Sequence, residues 1–271
     1  MNPGQKELEL VRFLQAYNSS IVAFSGGVDS SYLAFMANRV MGSAARIVTA
    51  LSPSVSRMQR DLAQRFAEEY GLNHRFIETG ELENPDYAEN PANRCYFCKS
   101  ELFDFLKRLK AEWGVDVVFD GSNADDMGDY RPGRSAAEER AVTSPLIEVG
   151  LNKAEIRELS RRWRLPTWDL PAMPCLASRL PYGVAVTPEK LSRVERAEDF
   201  LRELGFREFR VRHHEELARI EVAPAEMKRI LDLKLFDEIN QVLKSLGYRY
   251  VTLDLQGFRS GSLNELLEIE G

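Results

Sequence analysis

The sequence predicts an α/β protein, a parallel sheet flanked by helices, with a second, smaller α+β domain behind it. Three observations carry this. Short β-prone runs alternate with helical runs through the first 165 residues, the signature of successive βαβ units. The first such run empties into a glycine-bearing turn that opens a helix. A segment with five prolines, 165–188, then breaks the pattern, and the order beyond it is α-β-β-α-β.

Taken in order, Glu7–Tyr17 reads as an amphipathic helix and Ser20–Phe24 as a buried strand. A helix over Ser30–Met41 stops at Gly42, a natural C-terminal cap. Arg46–Leu51 is a strand, Arg57–Tyr70 a helix ended by Gly71, and Arg75–Glu78 a short strand. Glu101–Trp113 is a helix and Val115–Asp120 a strand. Asn152 and Glu155 stand in a capping-box relation that starts a helix over Lys153–Trp163. These elements are expected to form the first domain, over 1–165.

The prolines Pro166, Pro171, Pro174, Pro181 and Pro188 forbid one regular element over 166–188. With Trp168, Cys175 and Arg179 in it, the stretch reads as an ordered active-site loop. Thr187-Pro188-Glu189 then opens a helix, with threonine at the N-cap. Phe209–His213 and Ala218–Val222 are strands, Ala225–Ser245 a helix and Tyr248–Leu255 a last strand. Residues 189–271 form the smaller domain. His213 and His214 are expected at its surface.

Composition limits the function. The chain has 271 residues, 44% of them apolar and 29% charged, enough to bury a core and too many to be disordered. Apolar runs such as Ile21–Phe24 fall far short of the roughly 18 residues of a membrane span. The start, MNPGQKELELVRFLQ, has mixed charge and no apolar leader, so a cytoplasmic protein is expected. The net charge of −6 argues against a general nucleic-acid binder. Three cysteines, an odd count, argue against a disulfide framework.

Ser25-Gly26-Gly27-Val28-Asp29-Ser30-Ser31 is the strongest chemical signal. The glycines let backbone approach an anion closely, and the helix start supplies amide donors and a positive dipole end. Ser25, Ser30 and Ser31 add hydroxyls, and Asp29 can hold magnesium or orient a loop amide. There is no Gly-Lys-Ser/Thr, so the turn is not a Walker A loop. It resembles the PP-loop, SGGxDS, of ATP pyrophosphatases, whose fold is that of the adenine nucleotide alpha-hydrolases. That resemblance implies cleavage of ATP between its α- and β-phosphates and transfer of AMP to a substrate oxygen.

Cys95 and Cys98 form a C-x-x-C pair just before a helix, and Cys175 lies in the proline-rich loop. From spacing alone three meanings stay open: structural zinc, unrelated thiols, or a [4Fe–4S] cluster with one iron free of protein ligand. The phrases SGGVDSS, NRCYFCK, GSNADDMGDYRPG, PCLASRLPYG and FRSGSLNE together resemble LarE. LarE is the family of pyridinium-3,5-biscarboxylic acid mononucleotide sulfurtransferases of nickel-pincer nucleotide cofactor synthesis. The match extends over nearly the whole chain. It implies an ATP-dependent reaction in which a carboxylate is adenylated and sulfur displaces AMP to leave a thiocarboxylate. The family has two versions, one spending the sulfur of a single cysteine at the position of Cys175. The other holds a [4Fe–4S] cluster on three cysteines, here Cys95, Cys98 and Cys175. The three-cysteine pattern matches the second, which requires a sulfide source. The family also tends to form homo-oligomers.

Other candidates follow. Asp125 and Asp126 come after a strand end, where parallel sheets place ligands; they either bind magnesium or substrate, or form a solvated turn. Arg131 either contacts phosphate or carboxylate, or sits in a surface turn. Ser178 and Arg179, close after Cys175, suit a carboxylate or phosphate. Arg210 and Arg212 alternate along a strand, so both face one side. With Arg259 they match the family's phosphate site for the substrate nucleotide; the alternative is an exposed basic face. Rival readings are a tRNA thiolase, an amide-forming ligase and a nucleotide-binding module without turnover.

Overall fold

All four residues of the first strand, β1 (Ser20–Ala23), are buried, because helices cover both faces of its sheet. The computed structural model describes residues 1–128, 132–259 and Ser262. In chain order come α1 (Pro3–Gln15), β1, α2 (Val28–Met41), β2 (Ala45–Leu51), α3 (Arg57–Glu69) and β3 (Asn73–Glu78). The single turn α4 (Pro85–Ala88) precedes α5 (Arg94–Trp113), β4 (Val117–Phe119), α6 (Pro132–Glu139), the short α7 (Pro145–Glu148) and α8 (Lys153–Arg162). The four strands pair in the order β3-β2-β1-β4, all parallel.

Strand alternation decides which side each residue serves. Val22 and Phe24 meet Leu14 of α1, Leu33 of α2, Phe66 of α3 and Leu159 of α8 in one core. Ile21 and Ala23 meet Phe103 and Leu106 of α5 and Ala137 of α6 in a second core on the opposite face. Capping boxes Asn2/Gln5, Ser56/Gln59 and Asn152/Glu155 start α1, α3 and α8.

The later elements are α9 (Pro188–Glu203), β5 (Phe209–His214), β6 (Leu217–Val222), the short α10 (Met227–Ile230), α11 (Leu233–Ser245) and β7 (Tyr250–Leu253). Their sheet, β5-β6-β7, is mixed: β5 and β6 are antiparallel, β6 and β7 parallel. Phe209 and Val211 of β5 and Ile220 of β6 pack against Leu201 of α9 and Leu243 of α11. The fold is thus the α/β class read from the sequence.

Four local readings change. The C-x-x-C pair lies inside α5, which starts at Arg94 rather than Glu101, since nothing from 94 to 113 breaks a helix. The helix expected over Ala225–Ser245 is interrupted, because the Asp232 side chain accepts from Leu235 N and caps a new start. α1 begins at Pro3, four residues before its first predicted residue, with Asn2 as its cap. His213 is fully buried, its Nδ1 3.2 Å from Tyr248 Oη, because both faces of β5 are covered.

The chain divides into two units, one made of Met1–Asn84 and Asn93–Met173, the other of Pro85–Ala92 and the chain from Pro174 onward. The boundary between the units falls between Met173 and Pro174, inside the proline-rich stretch. The segment 85–92 joins the second unit because Asn90 hydrogen-bonds there to Pro181 and Val184. Among the described residues no helix is long and apolar enough to cross a membrane.

Candidate functional site

The turn after β1 is built for close approach. Gly26 takes φ 75°, and a Cβ there would lie 3.3 Å from Ala63 N of α3. Gly27 is the N-cap of α2 and brings no side chain to cap the helix's first turn. That leaves the dipole's positive end and its amides at the mouth of the turn. The serines lock the turn's shape. Ser25 N donates to Ser30 Oγ (3.2 Å), the two hydroxyls lie 3.0 Å apart, and Ser30 Oγ donates to Gly27 O (3.2 Å). Ser31 is fully buried with an unpartnered hydroxyl, so it stands behind the turn and not among its outward donors.

The loop after β4 comes against this turn, at the point where strand order reverses beside β1. Gly121 approaches so closely that a Cβ would lie 3.0 Å from both Cα and N of Ser30. Asp126, buried, accepts from Asn123 N (2.9 Å) and shapes the loop. Asp125 Oδ2 accepts from Lys153 N (2.9 Å).

Lys153 was not among the residues read from the sequence. Its ammonium donates to Asp29 Oδ2 at 2.6 Å, while Asp29 Oδ1 is buried without a partner. The signal was present in the pattern. The capping box places Lys153 at the first position of α8, where the helix dipole disfavours a cation. A lysine there implies anions from elsewhere, and Asp29 and Asp125 supply them. Carboxylate oxygens suit magnesium, but here Asp29 serves Lys153. Arg131 lies outside the described residues.

The three cysteines are divided between the two units. None forms a disulfide. Cys95 is exposed and Cys98 partly buried, one helical turn apart on α5, which puts both on one face. Cys175 belongs to the second unit. Among the described residues no three His, Cys, Asp or Glu side chains gather as metal ligands. Thiols suit an iron–sulfur cluster chemically.

In the second unit, Cys175 caps the short turn Leu176–Arg179. Ser178 Oγ donates to Cys175 O (2.7 Å). Arg179 Nη1 donates to the carbonyls of Pro174 (2.7 Å) and Cys175 (3.0 Å). Its Nε and Nη2 grip both oxygens of Glu198 at 2.9 Å. Burial opposes the Arg179 charge, but Glu198 outweighs it and holds the guanidinium above its ordinary range; Glu198 is correspondingly held below its own. Arg179, expected to bind a substrate anion, instead holds the turn that carries Cys175.

β5 and β6 sort their faces. Directly opposite residues share a side, so Arg210 and Arg212 lie with Glu221 and Arg219, away from the apolar core. Arg212 donates to Glu221 Oε2 (3.0 and 2.8 Å), Ser178 O (3.0 Å) and Ser262 Oγ (2.9 Å). Arg210 lies over the Phe258 ring, next in sequence to Arg259. Burial, with Arg179 and then Arg212 beside it, lowers the Arg210 guanidinium to about 10. It remains charged at neutral pH and gains from an added anion. Arg210 and Arg212 are buried and Arg259 is half-buried, so the three are not an exposed basic face.

A family model described as asparagine synthase matches residues 14–219. An uncharacterised protein of Synechocystis is 46% identical, over 97% of this chain and 98% of its own length. The pyridinium-3,5-bisthiocarboxylic acid mononucleotide synthase of Lactiplantibacillus plantarum is 38% identical over 97% of this chain and 95% of its own. One component of the glutamine-hydrolysing GMP synthase of Methanopyrus kandleri is 27% identical over 68% of this chain and 62% of its own.

Proposed function

We propose a reaction from one premise: this chain belongs to the LarE-like PP-loop ATP pyrophosphatases of the asparagine synthase family, and is an ATP-dependent enzyme. Its substrate in this reading is pyridinium-3,5-biscarboxylic acid mononucleotide. ATP binds at the turn Ser25–Ser31, whose amides and α2 dipole hold the phosphates. A substrate carboxylate oxygen attacks the α-phosphorus and pyrophosphate leaves. Sulfur then attacks the carbonyl carbon of the acyl adenylate, AMP leaves, and a thiocarboxylate remains. Asp29 and Asp126 are the carboxylates that would hold magnesium, with Lys153 released from Asp29 as the metal enters. Arg210, Arg212 and Arg259 would receive the substrate phosphate.

The observation that carries this reading is a thiol, Cys175, on a turn pinned by the buried Arg179, with a second buried arginine, Arg210, close enough to Arg179 for like charge to lower its pKa. A tRNA thiolase fits less well, because the net charge is −6. In the cluster version, Cys95, Cys98 and Cys175 would hold a [4Fe–4S] group that supplies transferable sulfide from an external source. In the second reading the Cys175 thiolate attacks the acyl adenylate and AMP leaves; loss of the cysteine α-proton then breaks the Cβ–S bond, releasing the thiocarboxylate and leaving dehydroalanine at position 175.

The test is incubation of the chain with ATP, magnesium and the mononucleotide, reading AMP, pyrophosphate and oxygen-for-sulfur exchange in the product. Absence of AMP overturns the reaction. Iron and acid-labile sulfide, assayed after anaerobic purification of the wild type and each Cys→Ala variant, separate the versions. Loss of iron with any one cysteine supports the cluster. Iron-free protein whose turnover needs only Cys175 supports self-donation. The assembly in this reading is a homo-oligomer, tested by sedimentation velocity.

A further inference from the structure

Asn90 has 0% exposure and φ 59°, a left-handed conformation that asparagine tolerates better than most residues. Its Nδ2 faces three carbonyls, of Pro181 at 2.7 Å, Val184 at 3.0 Å and Leu180 at 3.5 Å. Its own carbonyl accepts from Gly183 N (2.9 Å), and Ala88 O accepts from Val186 N (2.8 Å). The turn it grips closes on itself through Val184 N to Pro181 O (3.1 Å).

This segment is the continuation of the Cys175 turn. Leu180 follows Arg179 directly, and Leu180 N donates to Ala177 O (3.1 Å). Glu198 holds the turn through Arg179, and Asn90 holds the chain just beyond it. Both roles of Asn90, the backbone angle and the amide donors, meet in one residue. Glycine would keep the first and lose the second. Aspartate would keep the shape and set carboxylate oxygens against carbonyl oxygens.

We propose that Asn90 is a positioning residue for Cys175: by fixing Leu180–Val186 it sets the placement of the thiol-bearing turn. Its catalytic part rests on the reading that Cys175 takes part in sulfur transfer. Two arms test it. In the first, Cys175 is the lone thiol in a chain carrying Cys95→Ser and Cys98→Ser. Its alkylation rate with iodoacetamide is compared with and without Asn90→Gly, and a rise of fivefold or more is expected while the folded state persists. In the second, Asn90→Gly in the otherwise native chain is expected to lower kcat for thiocarboxylate formation tenfold or more, with KM for ATP unchanged. A folded variant with unaltered alkylation and kcat overturns the proposal. If Asn90→Gly does not fold, Asn90→Asp replaces it in both arms. If neither folds, Asn90 serves the fold at large and the positioning role is wrong. If the native chain forms no thiocarboxylate, the functional reading fails, while the alkylation arm still decides the placement of Cys175.

Discussion

Lys153 Nζ lies 2.6 Å from Asp29 Oδ2, which joins the first residue of α8 to the phosphate turn between β1 and α2. The pair is partly open, with side-chain exposures of 37% and 19%, so its contribution to stability is small, about 1 kcal/mol or less. Its importance is in charge placement.

Replacing Lys153 with Met is therefore expected to leave the melting temperature nearly unchanged. If the Lys153 ammonium turns from Asp29 to the ATP phosphates in the proposed reaction, AMP formation, measured as kcat/KM for ATP, should fall about 10- to 100-fold, since one charge contact to a developing phosphate anion is worth roughly 1.5–3 kcal/mol. A variant with native AMP formation would show that the pair only shapes the turn.

Gly121→Ala tests the close approach of the two loops. The added methyl meets Ser30 Cα and N at 3.0 Å, backbone atoms that cannot rotate away. Overpacking of this kind costs about 1–3 kcal/mol. Isothermal titration should show weakened ATP binding, although no group that touches ATP in the proposed reaction has been removed. Equal affinity would show that the loops yield without cost.

Glu198→Gln is expected to destabilise strongly. It removes the carboxylate that both Arg179 Nε and Nη2 grip, and leaves a guanidinium that is 5% exposed without its counter-charge. Breaking a buried pair from one side costs about 3–5 kcal/mol. Urea unfolding measures this. Arg179→Met together with Glu198→Leu should recover part of the stability but none of the sulfur transfer.

Stability should fall as the solution is acidified below the ordinary histidine range. Burial lowers the His213 pKa to about 4, against 6.5 for the free side chain. Between those values the unfolded chain binds a proton that the folded chain refuses, so stability is full above 6.5 and drains as pH falls toward 4. The loss is on the order of 1–3 kcal/mol. Thermal melts from pH 7.5 to 4.5 read it, and His213→Gln should flatten that slope relative to the native chain.

The strands and helices of the first unit were legible because β1 and β2 alternate with capped amphipathic helices. The turn Ser25–Ser31 was legible because a glycine-bearing turn between a strand and a helix start is a local sequence pattern. The start of α5 was less legible, since Arg94–Ser100 carries no cap signal to mark it. His213 could not be placed from sequence, because alternation along a strand says which residues share a face but not whether that face is covered.

The sequence by itself determined the α/β class, the phosphate turn, the three thiols and the arginines Arg210, Arg212 and Arg259. These depend on local periodicity and on residue chemistry, which are properties of short stretches. Only tertiary structure decided what each charged group faces. It turned Arg179 from a substrate contact into the anchor of the Cys175 turn, set Lys153 against Asp29, and gave Asn90 to the segment beyond Cys175. The reason is physical: a charge or an amide is spent on whatever partner folding brings within about 3 Å, and such partners lie far away along the chain.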